Sequence, residues 1–340
     1  MNHNQRSVLI ILIVLLIMGF TAKIVFNSSS TSASALNAKA ADSVVYVENG
    51  VSGVVTITDP FLNKTSDVNI AYDPLDSGSG FIINDDGYIV TAYHVVGDPQ
   101  AIQDTGVLRL METGDIQQYL ERAAVSGYTS RYNPQLGSEL LNNNTSASII
   151  QAQPDVNTTT ELMNQRNLIH VKSAKQQIRV RLPGSGVGEY VNANLVDVGN
   201  PEKSEDMALI KINTFFTRLN PLILNSNTPS LNQRIHIYGY PSSKQDTTSN
   251  FNSSSLKPNS SSGVVTKELP TNGTFYYETT AQVTYGFSGG PVLDSNNDVL
   301  GILIYRLTTS NNTDQSTSVF LSSQYIIKLL NKNNVSMNTE

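Results

Sequence analysis

With 340 residues, 39% of them hydrophobic and 15% charged, the chain has the composition of a globular protein long enough for two compact domains and an appendage. Its net charge is −6 and no basic run lies beside aromatic residues, which argues against a nucleic-acid partner. The absence of cysteine excludes disulfides, zinc–thiolate sites and a cysteine nucleophile.

Residues 8–20 are continuously apolar or small, follow a polar start carrying Arg6, and are interrupted afterwards by Lys23. A cleaved signal peptide and an uncleaved transmembrane anchor over residues 1–26 both fit. The small-residue positions that could mark cleavage, Ala33, Ala35, Ala38 and Ala40, lie well beyond the apolar run, which favours the anchor. In either case the positive residue ahead of the run leaves the body of the protein outside the cytoplasm. Residues 27–41, rich in Ser, Ala, Thr and Asn, read as a flexible stalk. Asn-x-Ser/Thr sequons at Asn63, Asn143, Asn157, Asn252, Asn272 and Asn311 are compatible with a glycosylated outer surface without showing one.

From Ser43 the pattern turns to strands, at residues 44–47, 51–57, 81–83 and 88–92. Short strands between Gly, Pro, Asn and Asp turns predict an all-β barrel or sandwich. Asp86 and Gly87 mark a hairpin turn, and the strand after it runs into His94. The strand pattern resumes at 177–184 and continues at 191–198. Between His94 and residue 177, Ile116, Tyr119, Leu120, Ala123 and Ala124 recur at helical spacing behind Asp115 as a cap, and Leu162, Met163 and Leu168 suggest a second helix. Asp206 opens the apolar strand 207–212, and residues 234–241 read as a strand ending in a Gly-Pro turn, in which His236 is an ordinary strand residue. Residues 242–262 are polar, low in complexity and read as an exposed loop. A buried strand is expected at 299–305 and an amphipathic helix at 323–332, with Tyr325, Ile326, Leu329 and Leu330 on one face.

Chemistry concentrates in the run G-F-S-G-G-P at residues 286–291. A serine becomes a nucleophile when a base removes its proton and donors meet the oxyanion that forms. Glycines around Ser288 allow the tight turn in which backbone N–H groups converge on that position. The base must come from four histidines, and His94 at a strand end is the candidate. Asp206, at the mouth of an apolar strand, would orient it, with Asp197 and Asp98 as competitors. The order His, Asp, Ser differs from that of subtilisins and of α/β-hydrolases.

These stretches, S-G-S-G-F-I-I-N-D-D-G-Y-I-V-T-A-Y-H-V-V, E-D-M-A-L-I-K-I and G-F-S-G-G-P-V-L, resemble the trypsin/chymotrypsin-type serine peptidases, nearest the HtrA (Deg) branch. The resemblance covers about residues 42–98 and 176–330. It implies two six-stranded antiparallel β-barrels, the first over 42–221 and the second over 222–340, the latter closing on the C-terminal helix. His94, Asp206 and Ser288 would be the catalytic triad. The N–H groups of Gly286 and Ser288 would form the oxyanion hole, and Gln282, Ile302 and Leu303 would line the substrate cleft. No metal or organic cofactor is implied, and the partners would be protein or peptide substrates. Relatives reach the aspartate within a few dozen residues of the histidine, whereas 112 positions separate His94 from Asp206. An insertion near 99–175, partly helical and packed on the first barrel, is therefore expected.

Two departures from the family pattern matter. Phe287 stands where digestive relatives carry an Asp that pairs with a freed N-terminus, so activation by that ion pair is excluded. Gln282 stands where trypsins carry the acid that selects Lys or Arg, which makes a strict basic preference unexpected. No PDZ module is expected after the closing helix. The reading is an extracytoplasmic serine endopeptidase acting in surface protein quality control. The alternative is a catalytically silent trypsin-fold scaffold that uses the insertion as its interaction surface.

Overall fold

A computed structural model describes residues 39–59, 64–99, 168–186, 188–214, 218–241, 257–308 and 316–339, with Leu110 and Ile116. The first six strands are β1 (Val44–Asp59), β2 (Lys64–Ile82), β3 (Tyr88–Thr91), β4 (Ile169–Arg181), β5 (Val191–Val198) and β6 (Ala208–Ile212). They close into a barrel in the order β1-β2-β3-β6-β5-β4. The next six are β7 (Arg234–Gly239), β8 (Asn259–Thr271), β9 (Thr274–Thr279), β10 (Pro291–Leu293), β11 (Val299–Thr308) and β12 (Ser316–Ser322). These close into a second barrel in the order β10-β11-β12-β9-β8-β7. The pairings are antiparallel throughout, and the two six-stranded barrels expected from the resemblance are present.

Strand alternation decides which core each residue enters, because successive side chains point to opposite faces. In β1, Val45 and Val47 fill the first barrel while Val44 and Tyr46 face the space between barrels. The same split separates Ile82 from Phe81 in β2, Ile89 from Val90 in β3, and Ile210 from Leu209 in β6. The second barrel is filled by Ile235, Ile237, Val265, Val292, Leu303 and Phe320 among others. The layer between barrels takes Tyr238, Tyr240, Ile302, Ile304 and Leu321 from it. Each fully buried side chain of this kind contributes about 1.5–3 kcal/mol, so the layer locks the barrels together. Helix α1 (Tyr93–Val96) is a single turn after β3, and α2 (Ser323–Lys332) closes the chain. Ser322 caps α2 by accepting from the Gln324 N–H, and Ile326, Leu329 and Leu330 lie on one buried face.

Several bounds differ from the expectation. The segments 44–47 and 51–57 are one strand, continuous through register shifts at Asn49/Gly50 and Val51/Gly53. β2 begins at Lys64, far ahead of Phe81; its alternation of Val68, Ile70 and Tyr72 is masked in the sequence by Asp67, Asp73, Pro74 and Asp76. β4 begins at Ile169, so residues 169–175 belong to the barrel strand rather than to the insertion. β8 takes in Asn259 to Ser262, the end of the expected loop, while 242–256 lie outside the described residues.

Of the insertion, Leu110 and Ile116 are helical and fully buried, packed with Val51, Val55, Ile57 and Ile70 on the long β1–β2 hairpin. The remaining helical positions expected there, Tyr119 to Ala124, Leu162 and Met163, lie outside the described residues. So do the apolar run 8–20 and most of the expected stalk. The last residues of that stalk, 39–41, are helical, and Ala40 is buried in the layer between barrels. Among the described residues no helix is long and apolar enough to cross a membrane.

Candidate active site

β3 ends at Thr91, Ala92 is extended at ψ 143°, and the chain makes one helical turn that presents His94. Gly97, at φ 67°, ends the turn in a conformation that favours glycine. Asp206 grips this turn twice. Its Oδ1 accepts the His94 backbone N–H at 3.0 Å and its Oδ2 lies 2.7 Å from His94 Nδ1. A carboxylate only accepts, so Nδ1 of the neutral ring donates and Nε2 keeps the lone pair. Burial disfavours the imidazolium, yet the hydrogen bond and charge of Asp206, with the charge of Asp76, outweigh it. The His94 pKa therefore stands above its ordinary 6.5.

The loop that delivers Asp206 is held from both barrels. Within it, Asn200 N–H donates to the Glu205 carboxylate at 2.9 Å and Gly199 N–H to the Met207 carbonyl at 2.8 Å. From the second barrel, the Thr274 hydroxyl donates to the Lys203 carbonyl at 2.7 Å. The Tyr276 hydroxyl donates to the carbonyl of Ser204, which itself sits at φ 60°. The competing carboxylates are engaged elsewhere: Asp98 accepts from the Tyr93 hydroxyl at 3.4 Å, and Asp197 pairs with Lys332 at 2.7 Å. His236 Nδ1 lies 2.9 Å from the Ser262 hydroxyl on the neighbouring strand. His170 is exposed on β4.

Ser288 lies in a turn wedged between the barrels. The Gly289 N–H donates to the Leu303 carbonyl at 2.8 Å, and the Ser288 carbonyl accepts the Ser79 N–H at 2.8 Å. Gly289, at φ 85°, comes so close to the first barrel that a Cβ there would lie 2.1 Å from the Ser79 carbonyl oxygen and 2.7 Å from Ala92 N. A Cβ on Gly290 would lie 2.1 Å from the Tyr238 carbonyl oxygen of the second barrel. The glycine pair after the serine is thus a steric requirement of both barrels, and it presses the Ser288 turn onto the residues leading into His94. The Ser288 hydroxyl donates to the Ile304 carbonyl at 2.9 Å, and among the described residues it makes no hydrogen bond to His94. Gly286 adopts φ 91°, and among the described residues the N–H groups of Gly286 and Ser288 have no acceptor.

The expected cleft residues fare differently. Gln282 is exposed and its amide donates to the Thr280 carbonyl at 3.2 Å. Ile302 and Leu303 do not line a cleft: their side chains are buried, Ile302 between barrels and Leu303 inside the second. A buried strand near the nucleophile reads in the sequence as a wall of the site, but strand alternation turns Ile302 into the layer between barrels and Leu303 into the second barrel. The residues of that strand the sequence leaves unmarked are Ile304, whose carbonyl meets Ser288, and Tyr305, which is exposed. Of the hydroxyl-bearing residues Ser79, Thr91 and Tyr276, only Ser79, between two glycines ahead of His94, carries a signal in the sequence.

Two closed antiparallel barrels, with a His–Asp pair on the first and a glycine-lined serine turn wedged against it, define the trypsin-like class of serine peptidases. The chain belongs to the family of trypsin-like peptidase domains, whose model matches residues 78–302, from the G-S-G run of β2 into β11. Among solved structures it is similar to the serine endoprotease from Yersinia pestis, at 17% identity and a TM-score of 0.46. That match covers 88% of this chain, and this chain spans 65% of that one. No curated protein matches it.

Proposed function

We propose that the protein is an extracytoplasmic serine endopeptidase that cleaves peptide bonds through an acyl-enzyme on Ser288. The observation that carries this reading is the two-point grip of Asp206 on His94, 112 positions away, beside the wedged Ser288 turn. Ser288 Oγ turns from the Ile304 carbonyl towards His94 Nε2, gives up its proton there and attacks the scissile carbonyl carbon. The carbonyl oxygen becomes an oxyanion that accepts from the N–H groups of Gly286 and Ser288, each worth about 3 kcal/mol to the transition state. His94 returns the proton to the leaving amine, whose C–N bond breaks. A water molecule, deprotonated in turn by His94, then hydrolyses the ester and restores the serine. Asp206 holds the tautomer throughout and stabilises the imidazolium.

The exposed rings of Tyr285, next to Gly286, and Tyr305, next to Ile304, offer apolar surface to substrate side chains. With the neutral Gln282, they support a preference for neutral or apolar residues. The apolar run 8–20 behind Arg6 supports delivery across a membrane, with the peptidase anchored outside or released by cleavage, and a role in degrading damaged surface proteins.

The test is digestion of a denatured protein by the wild type, Ser288→Ala and His94→Ala forms. The reading expects internal cleavage by the wild type alone. Folded wild-type protein that leaves the substrate intact, or Ser288→Ala protein that still cleaves it, would overturn the reading.

A further inference from the structure

We propose that Ser79 is a positioning residue for the oxyanion site, holding the nucleophile turn in its working shape from the opposite barrel. The inference rests on the peptidase reading above. Ser79 sits in the G-S-G run of β2, is fully buried, and has every polar group engaged at the junction between barrels. Its N–H donates to the Ser288 carbonyl at 2.8 Å, and its carbonyl accepts from the Thr91 hydroxyl at 2.7 Å. Its hydroxyl accepts the Tyr240 N–H at 2.9 Å and donates to the Gly286 carbonyl at 2.7 Å. The held carbonyls lie in the peptides that follow Gly286 and Ser288, so the hold fixes the Cα positions from which the N–H groups of those two residues would meet the oxyanion.

The need for such a hold follows from the sequence. Gly286 lacks a Cβ and so resists rotation of its flanking peptides less than any other residue type. Phe287, next in the chain, offers no polar side chain to anchor the turn; its ring packs instead against Gly239. A carbonyl fixed by a buried hydrogen bond cannot swing without leaving a donor and an acceptor unpaired. Because the Tyr240 N–H occupies the acceptor side of the Ser79 hydroxyl, the hydroxyl hydrogen is directed to Gly286. The turn is therefore ordered by a side chain already in place, with no ion pair to be created by proteolysis.

The experiment compares wild type, Ser79→Ala and Ser79→Cys in the full chain, by steady-state kinetics on a peptide substrate well below each melting temperature and by crystal structures. Ser79→Ala is expected to lower kcat about 10- to 100-fold with KM within about twofold, as for an interaction felt in the transition state. Ser79→Cys, of similar shape with a weaker donor, falls between, and it carries the comparison if Ser79→Ala does not fold. In the Ser79→Ala crystal the Gly286 peptide should be turned while the barrels superimpose. A wild-type kcat, an unmoved Gly286 carbonyl, or equal losses in both variants tracking the melting temperature would overturn the proposal. If the wild type itself cleaves nothing, the peptidase reading fails, and the Gly286 peptide in the variant crystals alone decides whether Ser79 positions the turn.

Discussion

Asp206 holds His94 by both of its carboxylate oxygens, one on the imidazole at 2.7 Å and one on the backbone N–H at 3.0 Å. The second contact ties the carboxylate to the main chain of α1, so the ring cannot drift from its partner unless the helical turn moves as well. Asparagine at position 206 would offer one donor and one acceptor where two acceptors are needed, favouring the wrong tautomer of His94. Asp206→Asn is expected to lower kcat by about four orders of magnitude, with substrate affinity little changed. Steady-state kinetics on a peptide ester would measure it.

The pH profile carries a sign. In the proposed mechanism His94 must be neutral to accept the Ser288 proton, so activity is expected to disappear as pH falls through its pKa. The charge and hydrogen bond of Asp206 raise that pKa, which puts the midpoint of the acid limb above 6.5. Asp76→Asn, by removing a weaker raising charge, should move the limb to lower pH by a smaller step than Asp206→Asn. The pH dependence of kcat/KM for the three proteins checks the order. The same shift makes the ion pair's contribution to stability complete below the unfolded imidazole pKa and lost as pH rises through the folded one.

Tyr276 reaches from β9 to the Ser204 carbonyl in the loop that delivers Asp206. Tyr276→Phe leaves that part-buried acceptor without its partner, at a cost of about 1–3 kcal/mol. The expected outcome is a lower urea midpoint together with a reduced kcat, read by denaturant titration and kinetics on the same preparation.

Gly289 is at φ 85°, and a Cβ there would stand 2.1 Å from the Ser79 carbonyl oxygen. Gly289→Ala should therefore displace the nucleophile turn and abolish turnover, whereas Leu303→Ala, inside the second barrel, should cost about 2–5 kcal/mol without changing which bonds are cut. Cleavage-site mapping by mass spectrometry, beside thermal unfolding, separates the two effects.

The sequence carried the architecture where local chemistry and long-range order coincide. The Asp86-Gly87 hairpin, the strand 191–198 and the helix 323–332 stand where their turn and periodicity signals put them, and β7 takes the first six positions of the expected segment 234–241. His94 and Asp206 were legible because each ends or opens an apolar strand. The first half of β2 was not legible, since Asp67, Asp73, Pro74 and Asp76 interrupt its alternation and its pairing with β1 comes from tertiary context. β9 and β12 were overlooked for a related reason: short segments rich in Thr, Ser and Tyr become strands only when neighbours satisfy their edges. Ile302 and Leu303 show the limit at the site, because an apolar run from Val299 to Ile304 does not reveal which side chains face a cleft. The hydroxyls of Ser79 and Tyr276 act across the junction between barrels, which no local pattern encodes.

The central claim is that Ser288 is a nucleophile activated by His94. It is tested most directly by exposing the folded protein to a fluorophosphonate probe and locating the adduct by tandem mass spectrometry. The account predicts one adduct, on the Ser288 hydroxyl, absent from Ser288→Ala protein and formed far more slowly in His94→Ala protein. Folded wild-type protein that takes up no probe, or takes it up at another residue, would contradict it.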